Sequence, residues 1–349
     1  MKSTFYLLLG AVLIAGSAYY FLKQPTSIKS TVPAYAYAAD ACSTAEDKNE
    51  CLSTLYAQLV KTYGATVAIE DLKTRSAADQ SVLGRCHPYM HTIGETASDK
   101  YESVSEAYLY GDPFCWSGYY HGVLEGVTAK IGEEKLLSSL NSICADIPGK
   151  ETYSFNYYNC VHGLGHGIME LKGDELFESL NTCDSLVGNW EQQSCQSGVF
   201  MENIILYTNY GKSAYLKPEE PLYPCTAVED TYKYQCYLGQ TSFALESSHY
   251  DFKKVADLCT TVKGQYRDVC FQSLGRDAAN QASHAKDRTK TTCDITQEHF
   301  DRVNCYVGAV KEFVSYYHGI DEARGFCSVL SGADKDTCAQ TGEEYFKVF

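Results

Sequence analysis

Apolar residues recur at helical spacing along the chain, and residues 250–283 show the pattern most clearly. In DFKKVADLC, Phe252 and Val255 fall on one face of a helix with the Ala and Leu that follow them. A turn containing glycine comes next, and in YRDVCFQSLGRDAANQA the apolar residues Val269, Leu274 and Ala278 recur roughly every four positions. The pattern predicts two helices, A and B, joined as an antiparallel hairpin.

The same hairpin pattern repeats along the chain and is marked by cysteines. Couples with ten or eleven residues between them are Cys183 with Cys195, Cys225 with Cys236, Cys259 with Cys270, Cys293 with Cys305, and Cys327 with Cys338. A similar phrase begins at each second cysteine, as in CQSG, CYLG and CYVG, and from Cys160 onward the steps are 33–41 residues. Such a period is typical of repeat proteins. The sequence therefore predicts an all-α fold, a right-handed α-solenoid of about seven or eight disulfide-stapled helical hairpins.

The sixteen cysteines predict disulfides rather than metal thiolates. No CxxC occurs, although zinc-ribbon, ferredoxin-like and thioredoxin-like sites use that spacing. An even and regularly spaced set is typical of an oxidising compartment. Each close couple is expected to staple the end of helix A to the start of helix B. The other expected disulfide cysteines are Cys86 with Cys115, Cys144 with Cys160, and Cys42 and Cys51.

The N-terminus predicts a membrane or secretion segment. An apolar run of eighteen residues, Phe5–Leu22, is at the short limit of a membrane span and long for a signal peptide. We expect an uncleaved anchor with the body outside the cytoplasm, or a secreted protein if the segment is cleaved. The predicted divisions are a signal-anchor at 1–23, a linker at 24–40, helical repeats with a His/Glu cluster at 41–172, and Cys-paired helical repeats at 173–349.

Overall charge narrows the range of partners. The chain of 349 residues has a net charge of −15. Nucleic-acid binders need basic stripes to displace counterions, and docking on anionic lipid heads needs positive charge as well. We therefore expect no nucleic-acid partner, and membrane contact only through the N-terminal segment. An acidic surface is compatible with solubility and with cations.

The C-terminal half resembles the Sel1-like and TPR helical repeats. The phrases FKKVADLC and CFQSLGRDAAN look like the secreted, cysteine-rich members in which a disulfide joins the two helices of each unit. The resemblance covers Gly173 to Phe349, and the gap between its cysteines is longer than in those proteins. It implies a scaffold that binds a protein, a peptide or a glycan, and it implies no catalytic residues.

The N-terminal half carries histidine and glutamate at helical spacing. HTIGE, HGVLE and HGIME each place a Glu four residues after a His, and two of these helices carry another His one turn earlier. Residues four apart lie on one face of a helix, so each helix would present a polar stripe. The candidate ligands are His87, His91, His121, His162, His166, Glu95, Glu125 and Glu170. Five of the nine histidines of the chain lie in these stripes.

Imidazole and carboxylate groups at this spacing suit a transition metal such as Zn, Fe or Cu. The first functional hypothesis is an extracytoplasmic metal- or cofactor-binding protein, with the glutamates as ligands, as hydrogen-bond partners of the ligands or as a general base. Non-covalent haem with two axial histidines is a variant of it. A hydrogen-bond ladder between repeats would use the same residues without metal. The alternative function is a non-enzymatic scaffold for a protein or peptide, and whether the protein is an enzyme is left open.

Later B helices do not continue the stripes. In the HGVLE stripe, the residue six positions after the cysteine is His121. In the later units the residue at this position is Met201, Ser242, Arg276 or Lys311. Arg276 and Lys311 are expected to be solvated surface charges or to hold an acidic group of a partner.

Overall fold

A computed structural model describes residues 42–211 and 213–348, and in this part of the chain it contains sixteen α-helices and no strand. The all-α prediction is therefore confirmed for the described residues. The helices of fourteen residues or more are α1 (Lys48–Tyr63), α2 (Ala65–Ala78), α4 (Cys86–Lys100), α6 (Gly118–Ser139), α7 (Phe155–Leu171), α9 (Asn189–Tyr210), α10 (Asp230–Ser247), α12 (Gln265–Gln281), α14 (His299–Tyr317) and α16 (Gly332–Val348). The shorter helices are α3 (Gln80–Leu83), α5 (Val104–Tyr108), α8 (Leu176–Cys183), α11 (Phe252–Thr261), α13 (Lys286–Cys293) and α15 (Asp321–Ser328).

The five close cysteine couples are bonded as their spacing predicted. The bonds are Cys183–Cys195, Cys225–Cys236, Cys259–Cys270, Cys293–Cys305 and Cys327–Cys338. Four of them staple a short helix to the long helix that follows, namely α8 to α9, α11 to α12, α13 to α14, and α15 to α16. The bond between Cys225 and Cys236 departs from this pattern, because Cys225 lies in the turns before α10 and Cys236 lies within that helix. No A helix forms in the described residues 213–229, a stretch that contains three prolines.

The other six cysteines are bonded as well. Their bonds are Cys42–Cys51, Cys86–Cys115 and Cys144–Cys160. The second cysteine of each close couple is buried, namely Cys195, Cys236, Cys270, Cys305 and Cys338. None of the predicted disulfide cysteines is a free thiol. A staple over a loop of about twelve residues removes about 3 kcal/mol of denatured-state entropy in the chain-entropy model. Eight such bonds indicate an oxidising, extracytoplasmic environment.

Consecutive long helices, from α4 to α16, pack side by side. Close packing between α4 and α6 depends on glycine, because a Cβ on Gly122 would lie 2.1 Å from the carbonyl oxygen of His91. One turn earlier Gly118 faces His87, and one turn later Gly126 faces Glu95. The residue numbers at these contacts increase in the same direction along both helices. The two helices are therefore parallel, and their stripes lie side by side.

Helix α7 continues the arrangement on the other side of α6. Gly163 approaches His121 and Leu124, and Gly167 approaches Thr128, in the same ascending order. Glycines in a helix interior cost about 1 kcal/mol each in helix propensity. The close approach of neighbouring helices offsets this cost. At the start of α7, the Ser154 hydroxyl caps the helix by accepting a hydrogen bond from the Tyr157 amide at 3.3 Å.

The row of helices folds back on itself. The indole Nε1 of Trp116, just before α6, donates to the Glu312 carboxylate on α14 at 3.1 Å. The rings of Phe155 and His318 are 5.5 Å apart, which joins the start of α7 to the end of α14. The C-terminal half of the chain therefore contacts the start of α6 and the start of α7.

The predicted membrane or signal segment (1–23) and linker (24–40) lie outside the described residues. Within 42–211 and 213–348, no helix combines the length and the apolar character that crossing a membrane requires. The right-handed sense of the solenoid and the division at residue 172 stay predictions.

Candidate metal centre

Five imidazoles converge where α4, α6 and α7 meet. His87 and His91 lie on α4, and His162 and His166 on α7. His121 on α6 lies between the two pairs, with its ring centroid 5.5 Å from that of His91, 4.8 Å from that of His162 and 4.7 Å from that of His166. Because the three helices are parallel and in register, stripes that are separate in sequence form one cluster.

The Nδ1 atoms of two histidines point outward to fixed acceptors. His87 Nδ1 lies 2.7 Å from the carbonyl oxygen of Cys115, which can only accept. His162 Nδ1 lies 2.7 Å from Ser197 Oγ, and the Ser197 hydroxyl already donates to the Ser194 carbonyl oxygen. Both imidazoles therefore carry their hydrogen on Nδ1, which leaves the Nε2 lone pair facing inward.

Carboxylates from the following helix hold the other two outer nitrogens. His91 Nδ1 lies 2.8 Å from Glu125 Oε2, and His166 Nδ1 lies 2.7 Å from Glu202 Oε2. The other oxygen of Glu125 is 3.7 Å from His166 Nδ1, so this carboxyl group connects the two histidine pairs. A carboxylate on the second nitrogen of a ligand histidine fixes the ring and increases its basicity.

The inner nitrogens face one another. His91 Nε2 is 3.0 Å from His87 Nε2, and His166 Nε2 is 3.2 Å from His162 Nε2. His121 differs from the other four, since its Nδ1 is buried and has no hydrogen-bond partner. Buried polar atoms without a partner are rare and call for an explanation such as a water or an ion.

Burial controls the charge of the cluster. His121, His162 and His166 are at most 2% exposed. Burial lowers the pKa of His91 to about 4 and the pKa of His87 and His162 to about 3, because the interior disfavours imidazolium. The pKa values of His121 and His166 are also well below the ordinary value, first because of burial and then because of the neighbouring histidines. All five imidazoles are therefore neutral at pH 7 and able to bind metal.

The glutamates have the opposite shift. Burial, with a contribution from the Glu170 carboxylate, raises the pKa of Glu125 to about 8. Burial and then Glu125 raise the pKa of Glu202 well above its usual range. The buried carboxyl groups hold protons that a nearby cation would displace.

The three glutamates of the stripes have different positions. Glu125 is buried at the centre, whereas Glu95 and Glu170 are exposed, and neither of them bonds a histidine among the described residues. Glu202 and Ser197 are part of the site but not of the predicted ligand set. Glu202 lies seven residues after Cys195, whereas Glu125 and Glu170 lie ten after their cysteines. Glu202 is thus three residues closer to its cysteine than the glutamates of the stripes. Three residues are nearly one helical turn, so its side chain stays on the same face of the helix.

Comparison of the chain with protein-family models, with curated proteins and with solved structures gave no match. The likeness to Sel1-like and TPR proteins therefore stays at the level of helical-repeat architecture with disulfides. Function is inferred here from the chemistry of the histidine cluster alone.

Proposed function

We propose that the protein binds a transition metal ion outside the cytoplasm, through the histidine cluster of α4, α6 and α7. The observation that carries the proposal is the two pairs of facing Nε2 atoms, at 3.0 and 3.2 Å, whose Nδ1 atoms are held from outside. With metal–nitrogen bonds of about 2.05 Å, these separations correspond to angles of about 94° and 103° at a shared ion. Both angles lie within the range of four- to six-coordinate metals.

A metal-free arrangement can satisfy most of the same atoms. If Glu125 is protonated, it donates to His91 Nδ1, His91 Nε2–H donates to His87, and His87 Nδ1–H donates to the Cys115 carbonyl oxygen. An equivalent chain runs from Glu202 through His166 and His162 to Ser197. These chains are the hydrogen-bond ladder that the sequence allows. They leave His121 Nδ1 unpaired at the centre of the cluster, and this atom favours a bound ion.

The donor set favours some metals over others. Neutral imidazoles suit Zn, Cu, Fe and Ni, whereas Mg and Ca prefer oxygen ligands. A haem group would have to insert between two axial histidines, but the rings of His121 and His166 are 4.7 Å apart and nearly parallel, at 16°. We therefore favour a bare ion over haem. The alternative function, a non-enzymatic scaffold for a protein or peptide, stays a prediction.

Metal analysis of the purified full-length protein tests this proposal. We expect a transition metal to co-purify, or to be taken up after chelator treatment, and the double variant His121→Asn/His166→Asn to bind less of it, because only the His87–His91 pair stays intact. The control is His299→Asn, because the His299 side chain is 65% exposed and lies outside the cluster. A wild-type protein that takes up no more Zn²⁺ or Cu²⁺ than the double variant would sink the proposal. An absorption spectrum checks for haem at the same time.

A further inference from the structure

The histidines form two groups of three rather than one group of five. The ligand atoms of His87, His91 and His121 lie within 4.8 Å of one another, and so do those of His121, His162 and His166. Among the described residues, groups at this distance join His121 to either pair but do not join the two pairs to each other. His121 is therefore the member that both groups share.

One ion cannot bind all four histidines of the two pairs at this geometry, although the ring centroids of His91 and His166 are 5.6 Å apart. Two nitrogen ligands of the same ion are separated by at most about 4.2 Å, twice a bond of about 2.1 Å. The pairs lie on α4 and α7, and the helix that carries His121 packs between these two. Each pair can chelate an ion of its own, because its two nitrogens are one helical turn apart and 3.0 or 3.2 Å from each other.

His121 has the chemistry of a shared ligand. In the other four histidines Nδ1 is occupied by a carbonyl, a hydroxyl or a carboxylate, so only Nε2 remains for a metal. His121 Nδ1 is buried without a partner. If the ring loses its N–H proton to solvent, each nitrogen has one lone pair and can form one metal bond, with no change in oxidation state.

The carboxyl groups of the site supply charge for more than one cation. Glu125 lies between the two pairs, with one oxygen 2.8 Å from His91 Nδ1 and the other 3.7 Å from His166 Nδ1. Glu202 borders the second pair, and Glu95 hydrogen-bonds to Glu125. Two dications a few ångströms apart repel strongly in a buried site, and several carboxylates beside them reduce this cost.

We propose that the cluster holds two metal ions, one on His87 and His91 and one on His162 and His166, bridged by the imidazolate of His121. This inference rests on the proposed metal-binding function and adds to it the number of ions and the role of His121. The centre is thus dinuclear, and its two ions are electronically coupled through one ring.

Copper(II) titration of the chelator-treated full-length protein tests the inference. We expect two Cu²⁺ per chain by elemental analysis. The electron paramagnetic resonance signal should grow with the first equivalent and fall below that of two independent ions with the second, because the bridge couples the two spins. In His121→Ala, copper that still binds should give its full, uncoupled signal. Circular dichroism checks that each variant remains helical.

Pair variants separate this inference from the function on which it rests. His87→Asn/His91→Asn and His162→Asn/His166→Asn should each retain one ion, and the quadruple variant none. Asparagine keeps an N–H near the position of Nδ1, which preserves the outer hydrogen bonds. One ion per wild-type chain, or two ions with fully independent signals, would overturn the bridged centre and leave the metal-binding function intact. No bound ion at all would overturn both.

Discussion

Helices α12 and α14 approach each other as closely as α4 and α6 do. A Cβ on Gly308 would lie 1.8 Å from the carbonyl oxygen of Gln272, compared with 2.1 Å between a Cβ on Gly122 and the carbonyl oxygen of His91. The same interior position, six residues after the cysteine, holds Arg276 in the C-terminal unit and His121 in the N-terminal one. The two regions thus share their packing and differ in the polar groups placed on it.

The charged groups around Asp277 in the C-terminal region satisfy one another. Asp277 accepts from Thr241, Ser242 and Arg276, and Arg276 also donates to the carbonyl oxygen of Leu238 at 2.7 Å. The expectation that Arg276 is a solvated charge or holds a partner's acidic group was wrong, because the guanidinium is paired within the chain. Lys311 is partly buried, and its Nζ donates to Gln272 Oε1 at 3.0 Å.

The comparison separates a structural network from a candidate site. In the C-terminal network each of these charged side chains has a protein partner, so the network needs no ligand to be stable. In the N-terminal cluster the central imidazole has an unpaired nitrogen, and His87 and His162 present Nε2 lone pairs inward. A polar cluster is therefore a functional candidate because of the atoms that it leaves unsatisfied, rather than because it is polar.

The largest effect is expected from closing the glycine contacts. Gly122→Ala and Gly308→Ala each place a methyl group against backbone, so both should lower the free energy of unfolding by about 3 kcal/mol. Only Gly122→Ala should also abolish metal uptake. Urea denaturation and elemental analysis measure the two effects. The control is Gly239→Ala, whose Cβ would meet only the flexible Ile204 side chain, at 3.3 Å. Equal loss of metal in Gly308→Ala would remove the distinction between the regions.

Asp277→Asn should weaken the C-terminal network without affecting metal. It leaves the Arg276 guanidinium without its carboxylate, and we expect the free energy of unfolding to fall by about 2–3 kcal/mol. Asp257→Asn is the control, because the carboxylate of Asp257 is 62% exposed and pairs with Lys253 one turn away; its effect should stay within about 0.5 kcal/mol. If Asp277→Asn lowered the metal content of folded protein, the C-terminal network would not be purely structural.

Glu202→Gln should reduce metal affinity with little effect on folding. Glutamine still accepts from His166 Nδ1 but lacks the negative charge that increases the basicity of the ring, so we expect a loss of affinity of about 10- to 100-fold. Competition with a chromophoric chelator measures the change. Glu178→Gln, at an exposed position on α8, is the matched control. Unchanged affinity in Glu202→Gln would mean that this carboxylate does not act on the centre.

The smallest predicted effect is the release of about one proton from Glu125 when metal binds at pH 7. Burial raises the pKa of Glu125 to about 8 in the metal-free protein, so the carboxyl group is protonated at pH 7 and a cation displaces that proton. The contribution of Glu125 should be lost above about pH 9, where Glu125 is already ionised, and in Glu125→Gln, whereas the protons displaced from Glu202 and His121 are still released. Calorimetry in buffers of different ionisation enthalpy counts the protons. Release that is unchanged in Glu125→Gln would assign the proton to another group.

The raised pKa of Glu125 also predicts how the stability of the folded protein changes with pH. A carboxyl group with a raised pKa stabilises the folded state fully below the unfolded value of 4.5 and progressively less as pH rises through about 8. The metal-free protein should therefore lose the contribution of Glu125 between these two values. Bound metal should reverse the trend, because it favours the ionised carboxylate.

Much of the architecture could be predicted from local spacing. The helical period of segments such as 250–283 and the regular cysteine couples determine the hairpins and their staples, because both depend on residues close in sequence. The polar stripes that contain His91, His121 and His166 could also be predicted, because residues four apart lie on one face of a helix. Because these features repeat, the positions of helices and cysteines in one unit predict the equivalent positions in the next.

Features that depend on one particular contact could not be predicted. Gly132 in α6 has a φ of +71° and interrupts the helix, although nothing in the repeat marks it. Glu202 bonds His166 from a position three residues out of the repeat register. Which nitrogen of each imidazole points inward depends on outer partners such as the Cys115 carbonyl oxygen, and these partners have no sequence signature.

The contact between Trp116 and Glu312, 196 residues apart, has a consequence for how the chain can change. An open array can gain or lose a unit at its end, because each unit touches only its neighbours. The contact between Trp116 and Glu312 adds a tie between units that are not neighbours, because Trp116 precedes α6 and Glu312 lies on α14. The described body is therefore more than a nearest-neighbour array, and unfolding of the units that contain Trp116 and Glu312 should be coupled.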